Sequence, residues 1–181
     1  MFPDNGYRTI EFKINRIEDG LSCYFCRMKV LMVCLGNICR SPLAEGILRH
    51  KAGLRGLNWH IESAGTGAWH VGEAPDPRSQ KVARQNGVDI SKQRAQQFSP
   101  YHIETFDLIF AMDSSNYQDI IRHAKTDAER NKIQLIMNMV EPGKNTAVPD
   151  PYYDDYLYDK VYSMLDAACT AIIDQYGNTS N

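Results

Sequence analysis

The segment Val33-Cys34-Leu35-Gly36-Asn37-Ile38-Cys39-Arg40-Ser41-Pro42 constrains this chain more than any other. A cysteine and an arginine flank five residues, a hydroxyl side chain and a proline follow, and the apolar run Val30-Leu31-Met32-Val33 precedes. That interval is too long for a helical turn and does not suit strand pairing. It is long enough to wrap a semicircle whose backbone N–H groups point inward at one oxyanion. Gly36 is free to adopt positive φ and Asn37 tolerates it better than most residues, so a tight curl is feasible. Ser41 and Pro42 read as N-cap and first helical position, placing the positive end of a helix beneath a bound anion.

Such a loop performs two tasks with one electrostatic field. The inward N–H groups of Leu35, Gly36, Asn37, Ile38, Cys39, Arg40 and Ser41, the helix terminus and the Arg40 guanidinium bind a dianion. The same positive potential favours the thiolate of Cys34, which is then equipped to attack phosphorus. Arginine suits the sixth position because its planar fork binds two equatorial oxygens at once, as lysine does not. A bare Cys-x5-Arg match also fits a buried cysteine and a surface charge. The preceding apolar run, Gly36 and Asn37 within the loop, and Ser41-Pro42 after it favour the phosphate loop.

A second feature near the other end of the chain is Asp150, framed by Pro149 and Pro151 and followed by Tyr152 and Tyr153. The prolines fix backbone angles in a loop, which leaves the carboxyl group free for chemistry. Phosphoryl transfer to a thiolate needs a proton for the departing oxygen, and Asp150 is the natural donor, later the base that activates water. Asp154 and Asp155 are rival acids without proline framing.

The loop from Cys34 to Pro42 and the late Asp150-Pro151-Tyr152-Tyr153 together resemble the low-molecular-weight protein tyrosine phosphatase family. Further similar stretches are Ser63-Ala64-Gly65-Thr66, Trp69, Asp76-Pro77-Arg78 and Ala111-Met112-Asp113-Ser114-Ser115-Asn116. The resemblance covers about residues 28–176. It implies a phosphocysteine mechanism without metal or organic cofactor, with Cys34, Arg40 and Asp150 catalytic. It further implies that Asp113 pairs with Arg40, that Asn116 braces the loop, and that Trp69, Tyr152 and Tyr153 line the substrate cleft with Leu35. On sequence alone Asp113 serves equally as a helix cap. Ser41 is placed to donate a hydrogen bond to the Cys34 sulfur, besides capping, and Asn37 to hold the curl through side-chain hydrogen bonds to backbone. A deep apolar slot suits a phenyl phosphate and leaves phosphoserine short of the nucleophile. His70 and His102 are not required as bases, and Tyr156, Tyr158 and Tyr162 read as helix surface or core. Cys39 reads equally as a redox partner for Cys34 or as packing.

Two rivals share this fold. An arsenate reductase relays oxidation through two later cysteines, and this chain has only Cys169 downstream. Protein arginine phosphatases, by resemblance, carry threonine where this loop has Ile38. A third alternative is a catalytically silent phosphotyrosine-binding module, but no group needed for the chemistry is missing.

The chain of 181 residues suits one domain with a substantial core. At 43% hydrophobic and 23% charged residues with net charge −2, its composition implies no general attraction to nucleic acid or anionic lipid. No apolar run is long enough to span a membrane, and no secretory pattern opens the chain. A cytoplasmic protein, monomeric or weakly dimeric, is expected. Its partner is a phosphotyrosine-containing protein, with a tyrosine kinase as one candidate by analogy. Five cysteines without secretory context argue against a disulfide framework. The lone Cys23-x-x-Cys26 lacks further ligands for zinc.

Residues 1–27 read as an N-terminal extension of unknown role, with residues 9–17 alternating like an edge strand, and the phosphatase domain as 28–178. Within the domain, strands are expected near 30–33, 59–64, 107–111 and 133–136. A helix follows Pro42, another is capped by Asp76-Pro77 and stopped at Asn86-Gly87, and a third covers about 114–123. Leu157, Val161, Leu165, Ala168 and Ile172 mark an amphipathic C-terminal helix. This alternation predicts an α/β fold, three-layer α/β/α with a four-stranded parallel sheet and the phosphate loop after the first strand.

Overall fold

In a computed structural model of the protein the described residues are 27–177. The expectations for residues 9–17 and for Cys23 and Cys26 lie outside them. Four parallel strands form the sheet: β1 (Lys29–Cys34), β2 (His60–Gly65), β3 (Leu108–Ala111) and β4 (Ile133–Leu135), in the order β2-β1-β3-β4. The chain passes outward in one direction from β1 to β2, then crosses to the opposite side for β3 and β4. Beside that reversal the carboxyl end of β1 opens, where ligands of such sheets bind.

β1 is buried on both faces, and its alternation decides which residues enter which core. Val30, Met32 and Cys34 join one apolar cluster with Leu43, Ile47, Leu165 and Ile172, from helices α1 (Arg40–Leu54) and α6 (Leu157–Tyr176). Leu31 and Val33 face the other cluster, with Ile103, Phe106 and Ile120. Those residues belong to or adjoin the short α3 (Tyr101–Thr105) and α4 (Ser114–Ile121). Two apolar faces on a central strand require helices on both sides, giving the three layers.

Helix α2 (Pro77–Gln85) begins as its sequence dictates. Asp76 accepts the Arg78 N–H, Pro77 occupies the first turn, and Gly87 past the end has φ +77°. The short α5 (Asp127–Asn131) opens with a capping box between Thr126 and Glu129. A single 3-10 turn, Ile136–Met139, follows β4. The start of α1 corrects the expectation for Ser41. The helix begins at Arg40, with Cys39 at the capping position and no side chain capping it, while Ser41 lies inside the first turn. The serine hydroxyl is thereby released for bonds within the loop.

Candidate active site

The loop between β1 and α1 curls back over the end of the sheet. Its positive φ falls on Asn37, at +55°, and not on Gly36. The short polar side chain of Asn37 offsets the cost of that conformation by bonding locally and across the sheet. Gly36 is closely covered: a Cβ there would lie 3.1 Å from Cδ2 of His70, and the imidazole would have to give way slightly to admit it. A second glycine supports the loop from below. At Gly65, the last residue of β2, a Cβ would meet the Leu35 carbonyl oxygen at 2.8 Å and the Asn37 nitrogen at 3.1 Å, so the loop rests on bare backbone.

Cys34 is buried at the floor. Its Sγ accepts the Asn37 N–H at 3.2 Å and lies 3.0 Å from Ser41 Oγ. Asn37 Nδ2 donates to Ser41 Oγ and to Ser63 Oγ, each at 2.8 Å, and its Oδ1 accepts the Gln96 N–H at 2.9 Å. Bonds to backbone were expected of this side chain, but only the one from Gln96 is of that kind, and the other two go to serine hydroxyls.

Arg40 is clamped. Its Nη1 donates to Asp113 Oδ2 at 2.6 Å and to the Val148 carbonyl at 3.3 Å, while Nη2 donates to Asp150 Oδ2 at 2.9 Å. Burial opposes the Arg40 charge, but Cys34, Asp150 and Asp113 outweigh it and hold the guanidinium firmly protonated. Asp113 plays both roles open to it in the sequence, since its Oδ1 also accepts the Asn116 N–H at 2.8 Å and caps α4. The buried Asn116 amide, turned with its nitrogen toward Asp113, donates to both carboxylate oxygens at 3.1 and 3.2 Å.

A cleft of about 310 Å³ opens above the sulfur. Cys34, Leu35, Gly36, Ile38, Cys39 and Arg40 form its floor, Asp150 one side, and Trp69, His70, Tyr152 and Tyr153 its rim. Trp69 is 73% exposed and Tyr153 94%. Tyr152 meets Tyr153 edge-to-face with centroids 4.9 Å apart. Asp155 and Asp154 do not line this cleft. Asp155 accepts from Arg78 Nη1 at 2.5 Å, and Asp154 accepts the Tyr156 N–H at 3.0 Å. Arg78 also stacks over the rings of Tyr152 and Tyr158, which ties the loop carrying Asp150 to the start of α2.

His70 borders the cleft although no local pattern marks it. Its Nδ1 pairs with Glu73 at 2.8 Å and its opposite edge lies over Gly36. Tyr158 is core, as expected, yet reaches the back of the loop: its hydroxyl lies 3.6 Å from Cys39 Sγ. Burial pushes the Cys39 thiol up to about 12. Cys169, the one cysteine after the loop, is wholly buried and donates to the Ala44 carbonyl at 3.6 Å. It is not placed to carry oxidation away from Cys34. Among the described residues no group of three or more His, Cys, Asp or Glu side chains is arranged for a metal, and no helix is long and apolar enough to cross a membrane.

A buried thiol that accepts a backbone N–H, beside an arginine paired with two carboxylates, at the end of a four-stranded parallel sheet, defines a class of phosphate-ester enzyme. The chain belongs to the low molecular weight phosphotyrosine protein phosphatase family, whose model matches residues 29–180, and it is an enzyme of the protein-tyrosine phosphatase class. A low molecular weight phosphotyrosine protein phosphatase of Schizosaccharomyces pombe is 48% identical over 129 residues, 70% of this chain and 81% of that protein. The crystal structure of YfkJ from Bacillus subtilis superposes with a TM-score of 0.79 at 33% identity, covering 86% of this chain and 98% of that one. The crystal structure of a Drosophila arginine phosphatase superposes with a TM-score of 0.77, also at 33% identity, covering 85% and 100%.

Proposed function

We propose that the protein hydrolyses protein phosphotyrosine through a phosphocysteine on Cys34. The observation carrying this reading is the convergence of Cys34, Arg40 and Asp150 in one aromatic-rimmed cleft. Backbone N–H groups from Leu35 to Ser41 and the Arg40 fork hold the phosphate dianion, with the leaving phenolate toward Asp150. The Cys34 thiolate attacks phosphorus, the P–O bond to the phenol breaks, and Asp150 delivers its proton to the departing oxygen. Asp150, now ionised, takes a proton from water as the water attacks phosphocysteine. The P–S bond breaks, inorganic phosphate leaves, and thiolate and carboxylic acid are restored. Ser41 stabilises the sulfur as it departs in this second step. Asp113 and Asn116 orient Arg40, and Leu35, Trp69, Tyr152 and Tyr153 sandwich the ring.

The neighbouring arginine phosphatase makes phosphoarginine the second reading to test. Ile38 and the aromatic rim favour the phenyl ester. Turnover of p-nitrophenyl phosphate by Cys34→Ser is expected to fall to background, and undiminished turnover sinks the mechanism. Phosphotyrosine, phosphoserine and phosphoarginine peptides assayed side by side are expected to rank phosphotyrosine first. A phosphotyrosine-bearing protein is the natural substrate, and a tyrosine kinase is one candidate.

A further inference from the structure

Glu45 is a carboxylate with almost no access to solvent, placed on the inner face of α1 one turn beyond the phosphate loop. Burial raises its pKa, opposed by Ser63 and Arg49, with Glu62 the other nearby charge. A buried acid that touches neither substrate nor the reacting sulfur calls for an explanation. Its two oxygens receive two donors: Arg49 Nη2 at 2.6 Å on Oε1 and Ser63 Oγ at 2.6 Å on Oε2.

The bonds beyond Ser63 run in one direction. The Gln96 backbone N–H can only donate, so the Asn37 atom facing it is the carbonyl oxygen, and Asn37 Nδ2 faces the two serines. Nδ2 can only donate, so Ser63 Oγ and Ser41 Oγ both accept from it. Ser63 has its hydrogen left over, and Glu45 Oε2 takes it. Ser41 likewise has one hydrogen left, with Cys34 Sγ at 3.0 Å and the Ala64 carbonyl at 3.4 Å as acceptors. The shorter approach is to the sulfur. The chain reads Glu45 from Ser63 from Asn37 to Ser41 to Cys34, with every donor assigned.

We infer that Glu45 is a positioning residue for the nucleophile: by accepting the Ser63 hydrogen it anchors the Asn37 amide, which holds Ser41 with its hydrogen aimed at the Cys34 sulfur. The inference rests on the phosphocysteine reading above. Without that acceptor the Ser63 hydrogen is left buried and unsatisfied, and a hydroxyl that swings away to satisfy it gives up the bond it accepts from Asn37 Nδ2, one of the two that anchor the amide. The required property is an acceptor for Ser63, not a negative charge. Glutamine supplies one with its Oε1, because Arg49 is half exposed and can turn to water away from the amide nitrogen.

The test compares Glu45→Ala, Glu45→Gln, Ser63→Ala and the Glu45→Ala/Ser63→Ala double variant in the full chain, folding being checked by circular dichroism. Two readouts are taken: kcat for p-nitrophenyl phosphate, and the pH dependence of Cys34 alkylation by iodoacetamide. Glu45→Ala and Ser63→Ala are each expected to lower kcat about tenfold and to move the alkylation curve to higher pH. The double variant is expected to be no worse than either single one, because the same link is cut. Glu45→Gln is expected to stay within about twofold of wild type. Should Glu45→Ala not fold, the contrast between Ser63→Ala and Glu45→Gln carries the decision. An unmoved alkylation curve in Ser63→Ala, additive losses in the double variant, or a Glu45→Gln loss as large as that of Ser63→Ala would overturn the inference. The phosphocysteine reading fails separately, on an active Cys34→Ser.

Discussion

Arg40 meets two carboxylates that differ in exposure, and the difference separates their tasks. Asp113 is the more enclosed and braces the guanidinium from behind, while Asp150 is 42% exposed at the cleft wall. Asp113→Asn keeps the shape but loses the charge-assisted bond, and is expected to lower kcat/KM about tenfold while leaving the fold intact. Asp150→Asn is expected to cost far more with phenyl phosphate than with p-nitrophenyl phosphate, since nitrophenolate leaves with less help from a proton. A loss equal for both esters would remove Asp150 from the role of acid. Cys39 yields a different prediction. Its folded value of about 12 lies above the ordinary cysteine value of 9.0, because burial disfavours the thiolate. The native state therefore holds the neutral thiol, and that stability is present in full below about pH 9 and is lost as pH rises toward 12. Urea midpoints measured from pH 8 to pH 11 are expected to fall, and to fall less steeply in Cys39→Ala. That Cys34, Arg40 and Asp150 would meet in one cleft was legible, because the proposed chemistry demands those residue types, the first two at a local spacing and the third in a proline-framed loop. Ser63, Gln96, Glu45 and His70 were not. Asn37 reaches Ser63 and Gln96 across the fold, and no short pattern in the sequence announces a meeting between residues 26 or 59 positions apart.

At the scale of elements, the strands and long helices announce themselves by period. Leu157, Val161, Leu165, Ala168 and Ile172 on α6 all turn inward or nearly so, and Val30, Met32 and Cys34 part from Leu31 and Val33 as a two-residue repeat requires. The helices Tyr101–Thr105 and Asp127–Asn131 and the turn Ile136–Met139 escape such reading, because five residues or fewer do not complete two turns and carry no periodic signal. The cap of α1 was misassigned for a related reason. Ser41-Pro42 has the right chemistry for a helix start, but its hydroxyl is taken by Asn37 and Cys34, and the helix begins two residues earlier. The joint between β2 and the loop makes its own prediction. A methyl group at Gly65 would strike backbone atoms, which cannot rotate away as a side chain would. Gly65→Ala is expected to lower kcat/KM by at least about a hundredfold through displacement of the loop, measurable with p-nitrophenyl phosphate, with far-ultraviolet circular dichroism retained.

At the scale of the molecule, one sheet end gathers contributions from most of the chain. Cys34 ends β1, Asp113 lies after β3, and Asp150 in the loop before α6, which Arg78 at the start of α2 helps secure. Both apolar layers thus brace a single polar point. That point includes the first turn of α1, which has neither a capping side chain nor an acidic residue of its own. The amides there are donors that the protein does not satisfy from its own side chains. An oxyanion drawn into the loop would do so, acting as the missing cap of α1, and would be a structural member as much as a reactant. Phosphate at a hundred times its dissociation constant is expected to raise the melting temperature by about 5–10 °C, and Arg40→Ala to remove most of that rise. Heat resistance then reports what occupies the cleft, even for compounds the enzyme never turns over.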